Sequence, residues 1–142
     1  MVIRDKKKTN YQTSSTGVGG RDGHVKSDDG ILELEVKLPK ELGGEGGKYT
    51  NPEPLFSAGY AACFDNAIIH IAKAMKQEVS SQTTVTVSVV KAAKGIDFAV
   101  KIEAKIDGVE SEMAQTIINK AHEICPYSQA TKGNIQQEIC LV

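Results

Sequence analysis

The cysteines are the side chains in this 142-residue sequence best suited to chemistry, and they stand at positions 63, 125 and 140. Cys63 lies in the run Gly-Tyr-Ala-Ala-Cys-Phe, inside a segment with a helical pattern. Cys125 lies at the predicted end of a second helix, before Pro-Tyr-Ser. A lone cysteine in a helix is usually a buried apolar residue. Two cysteines placed in this way could meet in space and exchange electrons.

Thiol chemistry of this kind suits the reduction of a peroxide. A thiolate attacks one peroxide oxygen, an alcohol leaves, and the sulfur becomes a sulfenic acid. A second thiol then condenses with the sulfenic acid to give a disulfide, which protects the first sulfur from over-oxidation. The attacking sulfur must be ionised near neutral pH, whereas a free cysteine has a pKa of about 8.5 and an apolar site raises it. A nearby cation would therefore be needed.

Arg21 and Glu53 are charged residues that such a site could use. Arg21 stands in the run Gly-Gly-Arg-Asp-Gly, and an arginine stays charged while its planar group holds a carboxylate and faces the sulfur. Both residues also have simpler explanations, because an arginine between glycines suits a solvated hairpin tip and Glu53 suits the first turn of a helix. Cys140 lies in an alternating terminal segment, where we expect a packing role.

Composition limits the class of protein. The net charge is −1, from 17 basic and 18 acidic residues, so nothing favours binding to nucleic acid or an anionic membrane. The first ten residues lack the apolar stretch of a secretory signal, and no window approaches the roughly 20 apolar residues of a membrane span. We therefore expect a cytoplasmic protein, whose odd number of cysteines are reactive or buried rather than structural staples.

Alternating and β-branched stretches predict the strands, which are residues 11–16, a short stretch at Val25 and Lys26, and residues 31–38, 83–90, 96–106 and 134–142. The first three would form an antiparallel meander, and the turn at Gly95 predicts a hairpin. The glycine-rich loop over residues 39–50 is not a phosphate-binding loop, because Tyr49 rather than Ser or Thr follows Lys48.

Two helices complete the predicted fold. Asn51 suits an N-cap and Pro52 the first helical position. The helix over residues 55–75 is apolar on nearly every side, which indicates burial against a sheet or a partner subunit. A second helix over residues 110–124 should end before Pro126. Its apolar stripe consists of Met113, Ile117, Ala121 and Ile124. The order of elements predicts one α+β domain with antiparallel sheet, spanning all 142 residues.

Four runs carry a resemblance to a known family, and they are Gly19-Gly-Arg-Asp-Gly23, Asn51-Pro-Glu-Pro-Leu-Phe56, Ala58-Gly-Tyr-Ala-Ala-Cys-Phe64 and Cys125-Pro-Tyr-Ser-Gln-Ala-Thr-Lys-Gly-Asn134. Together they resemble the organic hydroperoxide resistance proteins, the Ohr branch of the OsmC-like superfamily. The resemblance covers nearly the whole chain. Its last two runs are specific, because each cysteine keeps its family surroundings, and Cys-Pro-Tyr-Ser is similar to the Ohr branch rather than to its osmotically inducible sister.

The resemblance implies a fold, a set of site residues and partners. The fold would be α+β and OsmC-like, with antiparallel sheets around the long central helices of an intertwined, obligate homodimer. Cys63 would attack the peroxide and Cys125 would resolve the product. Arg21 would activate the Cys63 thiolate, and Glu53 would hold Arg21. Family members prefer bulky organic and fatty-acid hydroperoxides, bind no cofactor, and are recycled by dihydrolipoyl groups of lipoylated partner proteins or by other dithiols.

Helix geometry sets a condition on this site. Glu53 and Cys63 are ten residues apart, which a straight helix converts into roughly 15 Å. They cannot touch unless the helix is broken, Arg21 bridges them, or a partner chain contributes. We expect a local break near Gly59 and a site shared between subunits. Apolar walls would favour an organic tail, and the candidate wall residues are Leu55, Phe56, Tyr60, Phe64, Met75 and Met113.

Three other interpretations compete with this one. His24, His70 and His122 could join the cysteines in a metal site, although no Cys-x-x-Cys or ordered Cys/His spacing supports one. A Cys–His hydrolase is disfavoured because His70 follows Cys63 by seven residues, roughly 10 Å along a helix. A non-enzymatic module that binds a lipid in a dimer cleft would leave Cys63 unreactive.

Overall fold

The computed structural model describes residues 7–142 and groups the chain into two compact units, Met1–Pro52 and Glu53–Val142. The first unit carries strands β1 (Ser15–Val18), β2 (Gly23–Ser27) and β3 (Glu33–Val36) and a short 3-10 turn over Lys40–Leu42. Helix α1 (Pro52–Ala74) begins at the junction and belongs almost wholly to the second unit, whose other elements are β4 (Ser80–Lys91), β5 (Ile96–Asp107), α2 (Ser111–Ile124), α3 (Pro126–Thr131) and β6 (Gln136–Leu141). The predicted α+β class is confirmed.

The first unit is the predicted antiparallel meander, with strand order β1-β2-β3. Its first strand begins at Ser15 rather than at residue 11, because the five-residue β2 ends at Ser27, the partner of Ser15. Gly19 and Gly20 form the turn between β1 and β2 with φ values of 84° and 62°, which only glycine adopts readily. Arg21 follows them directly, at the tip of this hairpin.

The sheet of the second unit has strand order β4-β5-β6. The predicted hairpin is confirmed, since β4 and β5 pair along their whole length from Ser80–Asp107 to Lys91–Ile96. The expectation of purely antiparallel sheet is corrected at β6, which runs parallel to β5. The reason is the connection: a chain that leaves β5 and returns through two helices comes back in the same direction.

Helix α1 begins at Pro52, as predicted, and runs for 23 residues. Its buried apolar side chains recur at helical spacing on one stripe, and they are Tyr60, Phe64, Ala67, Ile68 and Ala72. Ala58, Ala62 and Ile69 are exposed, Ile69 by 50%. The helix is therefore buried on one side of the single chain rather than all round. By length and composition α1 could cross a membrane, a test that a core helix of a water-exposed protein also passes.

The core of the second unit lies between α1, α2 and the sheet. It consists of Tyr60, Phe64, Ala67, Ile68, Ala72, Val85, Val100, Ile102, Ala104, Ile106, Ala114, Ile117, Ile118, Ala121 and Cys125. Helix α2 places Ile117 and Ala121 in this core as predicted, but Ile124 is 44% exposed. The buried stripe instead includes Ala114 and Ile118, so the predicted stripe is turned by about one position around the helix.

Candidate active site

The structure brings Cys63 and Cys125 together. Cys63 lies in the middle of α1 and is partly exposed, while Cys125 follows α2 and is completely buried. The two side chains are within hydrogen-bonding reach, and neither forms a disulfide. One cysteine of the pair is therefore partly accessible to solvent, and the other is not.

The end of α2 positions both Cys125 and the backbone that follows it. The Cys125 N–H still donates to the Ala121 carbonyl oxygen at 2.9 Å, but Cys125 itself is extended, with φ −63° and ψ 120°. This conformation is expected before Pro126, whose ring disfavours the helical region for the preceding residue. Pro126 ends α2 as predicted and also starts α3, where its missing N–H costs nothing. The resulting bend directs the Tyr127 backbone N–H to the Cys63 sulfur.

The surroundings of Cys63 favour the neutral thiol. Burial raises the pKa of Cys63 above its ordinary value, and this is the largest effect. The Tyr127 N–H opposes it and lowers the pKa, while the hydrogen bond and the charge of Cys125 raise it further. These groups alone would leave Cys63 mostly protonated at neutral pH, so a reactive thiolate here requires additional positive charge.

A buried hydroxyl pair lies beside the two cysteines. The Tyr60 hydroxyl and the Ser128 hydroxyl are 2.7 Å apart, and both residues have no solvent exposure. The Gln137 side-chain amide donates to the Tyr60 oxygen at 3.2 Å and to the Thr131 hydroxyl oxygen. Burial raises the pKa of Tyr60, although the hydrogen bonds with Ser128 and Thr131 oppose this shift, so the Tyr60 hydroxyl stays protonated. Sequence reasoning gave Ser128 and Gln137 no role; the one available signal was a hydroxyl-bearing residue three positions from each cysteine.

Aromatic rings pack against the Tyr60 ring and against one another. Phe56 packs against Phe98 with ring centroids 5.2 Å apart, and Tyr60 packs against Tyr127 at 5.4 Å. Of the candidate wall residues, Tyr60 and Phe64 are completely buried and belong to the core, and Phe56, Met75 and Met113 are partly buried against it. Phe98 and Tyr127 were not among the candidates, because their approach to α1 depends on the packing of distant segments.

The predicted break in α1 near Gly59 is wrong, since the helix is continuous from Pro52 to Ala74. Gly59 instead gives room to Tyr127: a Cβ at this position would overlap the Tyr127 hydroxyl and lie 3.0 Å from the adjoining ring carbon. Glu53 and Cys63 therefore remain roughly 15 Å apart along one helix. The path of α1 therefore does not bring the Glu53 carboxylate to the Cys63 sulfur.

Arg21 and Glu53 lie where the sequence predicts, in a hairpin turn of the first unit and in the first turn of α1. Glu53 is buried, with 8% exposure, and a buried carboxylate requires a cationic or hydrogen-bonding partner. This burial fits a residue that holds an arginine. The activation of Cys63 by Arg21, and the holding of Arg21 by Glu53, stay predictions.

The other candidate residues lie in different settings. Among residues 7–142, no three His, Cys, Asp or Glu side chains gather in a group that could hold a metal ion. His70 is exposed on α1, and burial together with Lys132 lowers the pKa of His122. The half-buried Cys140 on β6 donates to the Glu138 carboxylate at 3.3 Å, an interaction that raises the pKa of this thiol. Cys140 is therefore poorly suited to nucleophilic attack.

Comparison with known proteins decides the family. The model of the family described as OsmC-like protein matches residues 44–139. The chain belongs to this family. The organic hydroperoxide resistance protein of Xanthomonas axonopodis pv. citri (strain 306) is 38% identical over 92% of the chain and 94% of that protein. The organic hydroperoxide resistance protein OhrB of Bacillus subtilis (strain 168) is 42% identical over 91% of the chain and 96% of that protein.

Solved structures agree with this assignment. The crystal structure of an organic hydroperoxide resistance protein from Elizabethkingia anophelis superposes with a TM-score of 0.90 at 46% identity, covering 95% of the chain and 98% of that structure. The resemblance to the organic hydroperoxide resistance branch of the OsmC-like proteins, seen first in the sequence runs around the two cysteines, is confirmed. The α+β OsmC-like fold is confirmed with it.

Proposed function

We propose that this OsmC-like protein is a thiol-dependent peroxidase that reduces organic hydroperoxides, including those of fatty acids, to alcohols. The observation that carries the proposal is the pairing of a partly exposed thiol, Cys63, with a buried thiol, Cys125, within hydrogen-bonding reach. A family whose members are called organic hydroperoxide resistance proteins supports the choice of substrate class.

The reaction uses the two sulfurs in sequence. The Cys63 thiolate attacks the terminal peroxide oxygen, the O–O bond breaks, and the alkoxide takes up a proton to leave as an alcohol. Cys63 is then a sulfenic acid. The Cys125 thiol, deprotonated as it attacks, forms the S–S bond while the S–O bond breaks and water leaves. The buried position of Cys125 suits it to this second step, since it faces Cys63 rather than solvent.

Arg21 would supply the positive charge that the Cys63 thiolate requires. Burial and Cys125 raise the pKa of Cys63, and a guanidinium beside the sulfur would favour the ionised form. Glu53 would hold Arg21 in that position through a paired, bidentate contact. A buried carboxylate such as Glu53 supports this assignment, because its desolvation is offset when it is paired with a cation.

The preference for an organic substrate would come from aromatic rings at the accessible sulfur. Phe56 and Tyr127 pack together with centroids 6.2 Å apart, and both keep part of their surface exposed. An alkyl or aryl tail gains affinity by covering such surface, whereas hydrogen peroxide has no tail to bury. The backbone N–H of Tyr127 reaches Cys63. A substrate tail that covers the exposed Tyr127 side chain would therefore lie close to the reacting sulfur.

Recycling and assembly follow the same proposal. No bound cofactor takes part, and a dihydrolipoyl group of a lipoylated protein, or another dithiol, would reduce the Cys63–Cys125 disulfide in the cytoplasm. The active form would be a homodimer. The exposed apolar side of α1, formed by Ala58, Ala62 and Ile69, supports this assembly, because small residues allow helices to pack closely.

Thiol titration tests the proposed function. On mixing with cumene hydroperoxide, each chain should lose two thiols and form a Cys63–Cys125 disulfide that is identified by peptide mapping. Cys125→Ser should keep one rapid turnover and then over-oxidise, whereas Cys63→Ser should lose even the first turnover. Normal peroxide reduction by the Cys63 variant would refute the assignment.

The second candidate is a non-enzymatic dimer of the same fold that binds an apolar ligand. The raised pKa of Cys63 favours it, since a protonated thiol is a poor nucleophile. The same titration separates the two functions: the binding protein would keep all three thiols of each chain in the presence of cumene hydroperoxide.

A further inference from the structure

The hydrogen bond between Tyr60 and Ser128 joins the two segments that carry the cysteines. Tyr60 precedes Cys63 by three residues in α1, and Ser128 follows Cys125 by three residues in α3. The oxygen–oxygen distance is 2.7 Å, the usual length of a well-formed hydrogen bond between hydroxyls. A single hydrogen bond therefore connects α1 to α3, and each of its two residues lies about one helical turn from a cysteine of the pair.

The bond is enclosed and further fixed by β6. Tyr60 and Ser128 both have 0% exposure, so water is not available to replace either partner. Gln137 on β6 donates to the Tyr60 oxygen at 3.2 Å and also to Thr131, the last residue of α3. Removing either hydroxyl would leave a buried polar group without its partner, which is costlier than losing an exposed hydrogen bond.

We propose that Tyr60 and Ser128 are positioning residues that hold Cys125 against Cys63 and thereby set how fast the disulfide closes. The inference rests on the proposed peroxidase function. It adds two residues that form and break no bond with either sulfur. In closure the Cys125 sulfur attacks the Cys63 sulfenic acid, so the S–S bond forms, the S–O bond breaks and water leaves. The two sulfurs must approach to about 2.05 Å, and a fixed α3 keeps that movement small.

The experiment measures closure separately from peroxide attack. Tyr60→Phe and Ser128→Ala each remove one hydroxyl with little change of shape, and the protein is otherwise intact. After a single equivalent of cumene hydroperoxide, the decay of the sulfenic acid into disulfide should slow by about three- to tenfold, the worth of one buried hydrogen bond. The double variant should be no slower than about the worse single variant, because both substitutions break the same contact.

A second readout excludes a general loss of stability. The equilibrium between the folded dithiol and disulfide forms, measured against a reference dithiol, should shift toward the dithiol by a similar factor. Thr83→Val is the matched control, since it removes the 2.9 Å hydrogen bond from Thr83 to Asp65 that joins β4 to α1. This control should close its disulfide at the wild-type rate.

The outcomes separate the two proposals. Wild-type protein that loses no thiols to cumene hydroperoxide refutes the peroxidase itself. Wild-type protein that closes its disulfide, together with Tyr60→Phe and Ser128→Ala proteins that close it equally fast, overturns the positioning role alone. Equal slowing by Thr83→Val would also overturn it. If Ser128→Ala does not fold, Tyr60→Phe decides, because it keeps the buried ring.

Discussion

The Tyr127 hydroxyl lies against Gly59, in the space that a Cβ would occupy on any other residue. The same Tyr127 donates its backbone N–H to the Cys63 sulfur, one helical turn further along α1. A side-chain contact at Gly59 and a backbone contact at Cys63 thus fix one residue of α3 at two points. The glycine that looks like a weak point of α1 is the place where α3 docks.

Gly59→Ala should destabilise the protein by up to about 2 kcal/mol. Alanine favours the helix by about 1 kcal/mol over glycine, but its Cβ would collide with the Tyr127 ring and hydroxyl, and overpacking costs about 1–3 kcal/mol. Denaturant unfolding gives the free energy of unfolding. Because the displaced Tyr127 N–H would no longer lower the pKa of Cys63, iodoacetamide should also react with Cys63 at a higher pH midpoint.

A second substitution tests the cause of that destabilisation. In the Gly59→Ala background, Tyr127→Phe removes the hydroxyl that the new Cβ would meet first and should recover part of the lost free energy. The coupling of the two substitutions, measured as a double-mutant cycle, should be favourable. Simple additivity of the two losses would show that Gly59 and Tyr127 do not constrain each other.

The pH dependence of stability should carry the signature of Cys63. Its folded pKa is raised by burial and by Cys125, so the folded state holds the proton more tightly than the unfolded state. The resulting stabilisation is fully present below the ordinary cysteine pKa of about 8.5 and is lost as pH rises through the folded pKa. In the Arg21→Gln background, which removes the proposed ionising charge, free energies of unfolding between pH 7 and 10 should therefore fall more steeply for the protein that keeps Cys63 than for the protein that also carries Cys63→Ser. Parallel curves would contradict the raised pKa.

Local sequence patterns predicted the positions of helices and strands better than they predicted strand direction and the contacts between helices. The hairpin of β4 and β5 and the start of α1 at Pro52 follow from alternation and from N-terminal helix chemistry, which act within a few residues. The direction of β6 has no local signal, because it depends on how α2 and α3 carry the chain back. The role of Gly59 depends likewise on Tyr127, which is distant in sequence, so a helix break was the natural but wrong expectation.

The residues of the candidate site also divide into those that the sequence predicted and those that only the fold reveals. Cys63 and Cys125 were predicted because a thiol is reactive whatever its surroundings in the fold, and because family motifs surround both residues. Tyr60 and Ser128 were not assigned to each other, since the sequence marked Tyr60 only as a candidate wall residue and gave Ser128 no role. Only the fold shows that their hydroxyls share one buried hydrogen bond.

Arg21→Gln should slow the first turnover with cumene hydroperoxide by at least about tenfold, which corresponds to one pKa unit of the attacking thiol. The proposed reason is the loss of the charge that ionises Cys63. The pH profile of the first turnover, measured by stopped-flow, should shift upward as the rate falls. Arg21→Lys should recover only part of the rate, because lysine keeps the charge without the planar fork that Glu53 would hold.

Glu53→Gln is the companion variant for that prediction. It keeps the shape of the side chain but loses the carboxylate, and the profile should shift in the same direction by a smaller amount. Wild-type rates and an unchanged pH profile in Arg21→Gln would remove Arg21 from the mechanism and leave the Cys63–Cys125 pair without its proposed activator.

Ile69→Glu should convert the proposed homodimer into monomers. Ile69 is 50% exposed on the side of α1 that also presents Ala58 and Ala62, and a carboxylate placed in an apolar helix contact would be desolvated without a partner. Sedimentation velocity measures the assembly directly. Ile124→Glu is the matched control. Ile124 is also an exposed isoleucine on a helix, with 44% exposure, but it lies on α2 and not on the exposed side of α1. The control should stay dimeric, and a dimeric Ile69→Glu protein would place the subunit contact elsewhere than on this side of α1.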